Sequence, residues 1–324
     1  MPDSPIKHAD LVSYADETVN LRREDAKEYR EQVNRLREKL EKFIKEHPDV
    51  GLVKMLLSGS LAKGTALKTL NDIDVAVYVD AGKAPRAEDE LLEWLAEQLR
   101  KAYPQMDPSQ ISPGNHCVRI SFRGSGLDVD IVPVYYEGDE NDKGYLYARD
   151  TGKRVLTSIP MHLAFVRTRS DRIPKHYKQL IRLVKWWARF KKRNDSSFRC
   201  KSFLAELIAA HLVDTDTSID VHDYPTALES YFAYVVKSGL KDQVYFTDYY
   251  KKSDTPNRGN TAIEFLDPVN LDNNVVYDYS DGDRATLVDA AEDALDRISE
   301  ARFATTKARA VECWQEVFGP SFRA

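Results

Sequence analysis

Two aspartates at alternate positions, Asp72 and Asp74, lead into the apolar run VAVYV, and a Gly-Ser pair, Gly59-Ser60, stands a short distance before them. A second acidic pair with the same spacing, Asp128 and Asp130, lies in LDVDIVPV, residues 127–134. Side chains two apart on a strand point to one face, so each pair converges. Pairing the two strands would bring one member of the second pair beside Asp72 and Asp74. Three carboxylates around one point suit Mg2+, which takes oxygen ligands in octahedral geometry and keeps places for water and substrate phosphates. Two such ions about 4 Å apart lower the pKa of an attacking hydroxyl and neutralise a leaving pyrophosphate. The chemistry to expect is metal-dependent transfer of a nucleotide. Singly, the parts are ordinary: D-x-D is common at strand ends, and Gly-Ser often turns a chain into a helix N-terminus. The order carries the reading: apolar strand, Gly-Ser, a short Gly- and Thr-containing segment, the D-x-D strand, then a distant acidic strand.

These residues need a sheet to hold them. LVKMLL, residues 52–57, reads as the strand that delivers the Gly-Ser turn, and CVRISF, residues 117–122, as another strand. Pro133 predicts an edge position or the end of its strand, because proline cannot donate to a ladder. Residues 22–47 form a long helix in which Tyr29, Val33, Leu36, Leu40 and Phe43 recur at steps of four and three, which suits packing against the sheet. Residues 86–104 form a second amphipathic helix, with Leu91, Leu95 and Leu99 every four residues. The first half therefore reads as a mixed sheet covered by helices. Residues before 22 are polar and expected to be loose, and residues 137–157 are expected to be loops and a linker. From Ile159 onward helices dominate. One spans 175–193 with Leu180, Leu183, Val184 and Trp187 on one side, and Trp186 and Trp187 are expected to anchor a core. Helices follow at 202–213 and 224–238, a loop at 251–280, and one or two helices at 281–311. The fold class is α+β. The expected division is a catalytic domain with the long helix at 1–157 and a helical nucleotide- and substrate-binding domain at 158–324.

Composition narrows the function. The 324 residues carry a formal net charge of -5, which does not suggest a protein that coats nucleic acid, although RFKKR at 189–193 is a local basic patch. Cys117, Cys200 and Cys313 are too few and too scattered for a disulfide framework or a zinc motif. No apolar run approaches the 18 or so residues needed to span a membrane, and no signal peptide leads the chain, so a cytoplasmic protein is expected.

The pattern G-S-x-x-x-G-T ahead of D-x-D, followed by D-I-V-P, resembles the nucleotidyltransferase fold of the DNA-polymerase-beta type. Within it the chain is most similar to the 2′-5′-oligoadenylate synthetases and their bacterial relatives, the CD-NTases, which are cyclic-oligonucleotide synthases of anti-phage signalling. The resemblance implies that the Gly59-Ser60 backbone holds a triphosphate and that Asp72, Asp74 and Asp130 hold two Mg2+ ions, with Mn2+ as a substitute. Asp130 takes the third place because it directly precedes I-V-P, with Asp128 as second choice. LIRLVKWW, residues 180–187, resembles the helix that supplies a lysine to the triphosphate, which is Lys185. RCKSFLAEL, residues 199–207, resembles the next helix start, where Ser202 faces the nucleotide. DPVNLDNNV at 267–275 and CWQEVFGPSF at 313–322 resemble later family segments. The implied reaction joins ATP, and other NTPs as substrates, into a cyclic di- or trinucleotide second messenger with release of pyrophosphate. A downstream effector that senses the product is the implied partner, and a monomer is expected. A linear oligoadenylate synthetase and a template-independent tRNA or RNA nucleotidyltransferase use the same triad and stay as alternatives.

Overall fold

The computed structural model describes residues 4–70, 72–124, 126–148, 153–216 and 219–324. The chain falls into two units, Leu21–Ala164 and Met1–Asn20 together with Phe165–Ala324. A division between residues 157 and 158 would place the N-terminal residues with the catalytic half. Instead, the segment expected to be loose forms a helix, α1 (His8–Tyr14), and a π-helical turn, Ala15–Val19, that belong to the second unit. The reason is aromatic burial. Tyr14 stacks at 5.5 Å on Phe318, lies 4.9 Å from Phe322, and shares a hydrogen bond of 3.1 Å with Ser321. Asn20 and Gln179 exchange amide hydrogen bonds of 3.0 and 3.1 Å. The charged residues of the segment hid the few buried ones, Ile6, Leu11, Tyr14, Ala15 and Val19.

The unit Leu21–Ala164 is built on a mixed sheet. Its elements in order are α2 (Arg23–Glu46), β1 (Leu52–Leu57), α3 (Gly59–Lys63), β2 (Asp72–Asp80), α4 (Glu88–Ala102), β3 (Ile111–Pro113), β4 (Val118–Ser121), β5 (Asp128–Tyr136), β6 (Gly144–Ala148) and β7 (Lys153–Thr157). The helix α5 (Ile159–Arg172) begins in this unit. The strand order is β1-β2-β5-β4-β3, with β6 on β5 and β7 on β6. Only β2 and β5 run parallel; the other ladders of this sheet are antiparallel. One face is dry. Ile73, Val75, Val77 and Val79 of β2 and Val129 and Ile131 of β5 pack there with Val33, Leu36, Leu40 and Phe43 of α2 and with Leu91, Leu95 and Leu99 of α4. The long helix is thus a packing helix, as its periodicity predicts.

Two expectations for this half change. Residues 137–157 are not only loop, because β6 and β7 form a hairpin that extends the sheet from Tyr135 and Tyr136. Gly144 permits it, since a Cβ there would lie 2.6 Å from Val134 Cγ1. Pro133 sits inside a central strand, in register with Val77 of β2. On the other side of β5 the β4 ladder ends at Ile131 and the β6 ladder starts at Tyr135. Proline therefore occupies a local gap, where an edge-like position survives within a central strand.

The second unit is mainly helical. It contains α6 (His176–Asn194), α7 (Ser202–Thr215), α8 (Tyr224–Ser238), β8 (Gln243–Val244), β9 (Glu264–Asp267), β10 (Asn270–Asn274), α9 (Asp281–Phe303) and α10 (Lys307–Phe318). Leu180, Leu183, Val184 and Trp187 are buried as the pattern predicts. The stretch 251–280 differs from the expected loop, because its strands β9 and β10 form a small sheet with β8. Its polar residues hid it, and they are used internally. Asn274 donates to the Ile263 carbonyl at 2.8 Å and accepts from the backbone of Phe265 and Val276 at 3.2 Å each. Asp267 accepts from Val269 N at 2.9 Å and from Asn273 at 3.2 Å. The Asp-Pro…Asn-Asn segment is thus a hydrogen-bonded hairpin in its own right. No helix among the described residues is long and apolar enough to cross a membrane.

Candidate active site

The parallel register sets the site. Asp72 stands opposite Asp128, and Asp74 opposite Asp130. Alternation puts Ile73, Val75, Val129 and Ile131 on the helix-covered face, so the four acids share the other face, at the start of both strands. Like charges directly opposite each other destabilise a sheet. Four acids on two paired strands are therefore a local conflict, of the kind that marks function. Asp72 and Asp74 are exposed, and Asp128 and Asp130 are partly buried.

A residue that the sequence reading passed over offsets part of that conflict. Arg119 on β4 is in register with Asp130, on the side away from β2. Its guanidinium donates twice to Asp130, at 2.8 and 2.9 Å, and lies 3.7 Å from Asp128. Asp130 beside it raises the guanidinium's pKa, so the arginine stays charged. The Cys117 thiol near Asp130 is pushed up to about 11, first by burial and then by that carboxylate. The signal for Arg119 was a lone cation between Val118 and Ile120 in an otherwise apolar strand, but nothing local says that it meets Asp130.

The Gly-Ser turn is fixed by sterics. Gly59 has φ +62°, and a Cβ on it would lie 2.6 Å from Asp74 Cγ and 2.7 Å from Asp74 Cβ. Only glycine lets the chain pass this close to Asp74. Ser58 N donates to the Asp74 carbonyl at 2.9 Å, tying the end of β1 to β2. Thr65 N donates to the Ser60 carbonyl at 2.9 Å, and Arg30 of α2 donates to the Leu61 carbonyl at 3.2 Å. Gly59→Ala is expected to cost about 1–2 kcal/mol from left-handed strain alone, and more from displacement of Asp74. Urea unfolding of the variant checks this, and an unchanged midpoint would exclude the close approach.

The donor set is all oxygen and fits a hard divalent cation. As the side chains lie, no three acidic, histidine or cysteine residues among the described ones are grouped to hold an ion. Asp130 is turned to Arg119 instead.

Residues 33–109 match the sequence model of the nucleotidyltransferase domain, a span that includes Gly59, Ser60, Asp72 and Asp74. Over 323 residues the chain is 44% identical to the cyclic AMP-AMP-AMP synthase of Escherichia coli (strain MS 115-1), with 100% of each chain covered. It is 30% identical, over 98% of each, to the CBASS oligonucleotide cyclase CdnC of Escherichia coli (strain KTE188). The chain belongs to the CdnC family of CBASS oligonucleotide cyclases. The solved structure of E. coli MS115-1 CdnC with ATP superposes with a TM-score of 0.95, at 44% identity, covering 99% of this chain and 100% of that one. The same CdnC in complex with HORMA-deltaN gives a TM-score of 0.94 at 44% identity, covering 98% and 99%. The expected nucleotidyltransferase fold and enzyme class therefore hold.

Two further predicted residues of the cyclase, Lys185 and Ser202, lie in the helical unit. Lys185 is on α6, nearly buried, and its ammonium is 3.7 Å from Glu206 of α7, which is also buried. Ser202 is the first residue of α7 and is exposed. Lys201 precedes it as the N-cap and is held by Asp278 at 2.7 Å and by the Val275 carbonyl at 3.1 Å. The start of α7 is thereby pinned to the segment that follows the Asn-Asn hairpin. Trp187 is buried and packs on Phe198 and Phe232, as a core anchor should, while the partly buried Trp186 donates its indole N–H to the Phe318 carbonyl at 3.3 Å.

Proposed function

We propose that this cyclase joins ATP into a cyclic trinucleotide, with Asp72, Asp74 and Asp130 as ligands of Mg2+ and Asp130 as the acceptor of the attacking hydroxyl's proton. The observation that carries the site reading is the parallel register of Asp74 with Asp130, with the Gly59 backbone packed against Asp74. The 44% identity over the whole chain to a cyclic AMP-AMP-AMP synthase supports adenylate as the base and three as the ring size.

In each step a ribose hydroxyl of one nucleotide attacks the α-phosphorus of another. The new oxygen–phosphorus bond forms, the bond to the β-phosphate breaks, and pyrophosphate leaves. Asp130 takes the proton. Gly59 and Ser60 present backbone beside the leaving group, and a glycine is required because any side chain would strike Asp74. Lys185 and Ser202 are assigned to the nucleotide by the family resemblance. When bound, Mg2+ supplies charge neutralisation at the phosphates and lowers the hydroxyl's pKa. The last step is the same chemistry within one bound linear molecule, which closes the ring and consumes its terminal triphosphate. A HORMA-type partner, as in the E. coli CdnC complex, and an effector that senses the product complete the reading.

The test is a product assay with all four labelled NTPs and Mg2+ or Mn2+, with phosphatase treatment and mass spectrometry. A phosphatase-resistant species at the mass of cyclic tri-adenylate is expected from ATP alone. Linear, phosphatase-sensitive oligomers as the sole product would overturn the cyclisation step.

A further inference from the structure

Arg119 meets both acids of the D-x-D segment on β5, but unequally. It donates to both oxygens of Asp130, at 2.8 and 2.9 Å, and stands 3.7 Å from Asp128, beyond hydrogen-bond length. The guanidinium side chain is 44% exposed and the Asp130 side chain only 15%, so the arginine is the partner free to move. Asp128 and Asp130 are one strand repeat apart on one face, and an arginine side chain is long enough to serve either without moving the backbone.

A divalent cation on Asp130 would repel a guanidinium forked onto both oxygens of the same carboxylate and compete with it for their lone pairs. Yet Asp130 is the carboxylate that the ladder sets beside Asp74. We infer that Arg119 is a positioning residue that holds Asp130 in the metal-free enzyme and passes to Asp128 when a divalent cation takes Asp130. This gives the second acid a role: it is the alternative seat for the arginine, which keeps that charge paired while the site fills. It also accounts for the absence of a ready three-acid cluster among the described residues, despite a register that brings the acids together. The inference rests on the assignment of Asp130 as a metal ligand.

The test is Mn2+ binding to the full chain without nucleotide, followed by the electron paramagnetic resonance signal of free Mn2+ at fixed ionic strength. Arg119→Gln removes the competitor, and binding should tighten about three- to tenfold. Arg119→Lys keeps the charge but loses the fork, and a smaller tightening is expected. Asp128→Asn removes the alternative seat and should weaken binding about threefold or more. Its penalty should fall by at least half, on a logarithmic scale, in the Arg119→Gln background. Unchanged or weaker binding in Arg119→Gln, or an equal Asp128→Asn penalty in both backgrounds, overturns the exchange. Asp74→Ala separates the two levels. If it abolishes Mn2+ binding while the Arg119 variants bind like the parent, only the exchange fails. If the parent does not bind Mn2+, or Asp74→Ala leaves binding intact, the ligand assignment fails and the exchange with it.

Discussion

Asp74→Ala is expected to lower product formation by about a thousandfold or more while leaving the melting temperature within about 2 °C of the parent. The two halves of this result have separate causes. The Asp74 carboxylate belongs to the exposed acidic face and not to the helix-covered core, so its removal leaves no cavity. It also removes a like charge opposite Asp130, a local relief for the sheet. In the proposed mechanism activity depends on that same charge, because several carboxylates together would hold a divalent cation against its hydration. Asp72→Ala should behave likewise, since Asp72 sits on the same face of the same strand. Turnover of ATP by purified Asp74→Ala at saturating Mg2+, with thermal melts in parallel, is the measurement. Near-parental turnover would remove the acidic face from the chemistry.

Lys185→Ala is expected to destabilise the protein by about 3 kcal/mol. Family resemblance alone puts Lys185 on the triphosphate, so its loss should touch nucleotide use before folding. The structure adds a second role. Lys185 is 9% exposed and stands 3.7 Å from Glu206, which is 5% exposed. Truncating the lysine removes one cation from beside a buried carboxylate, and breaking a buried ion pair by deleting one partner is among the costlier single changes. Urea unfolding should show the loss. The double variant Lys185→Met/Glu206→Leu should regain most of it, because an apolar pair of similar volume replaces the buried ions. The same variant separates the roles. Restored stability with turnover still impaired leaves Lys185 as a nucleotide contact, whereas restored turnover makes it a purely structural residue.

Much of this was legible because it is local. The D-x-D spacing fixes which side chains share a face, since strand geometry alternates whatever the partner. The leucines of α4 and the apolar steps of α2 fix which side of each helix is buried, for the same reason of period. Gly59-Ser60 before Asp72 announces a turn, although the close approach to Asp74 that demands the glycine is seen only in the fold. These features, with the family resemblance of the motifs, point to the fold class, the enzyme class and the acidic residues of the site.

What only the tertiary structure decided depends on which strand meets which, and where. The register of Asp74 on Asp130 follows from burying Val75 and Ile131 on one face, and a slip of one residue would have turned every acid inward. Arg119 reaches Asp130 only because β4 pairs on the far side of β5, a contact that no periodicity encodes. Polar residues flanking the short strands hid the hairpin of β6 and β7, and polar composition hid the small sheet of β8, β9 and β10, where side-chain hydrogen bonds replace apolar alternation. The N-terminal helix joined the second unit through Tyr14 and two distant phenylalanines. Period and turn chemistry are properties of neighbours in sequence. Register, ion pairing and domain membership come from minimising exposed apolar surface over the whole chain, and only the folded structure carries that sum.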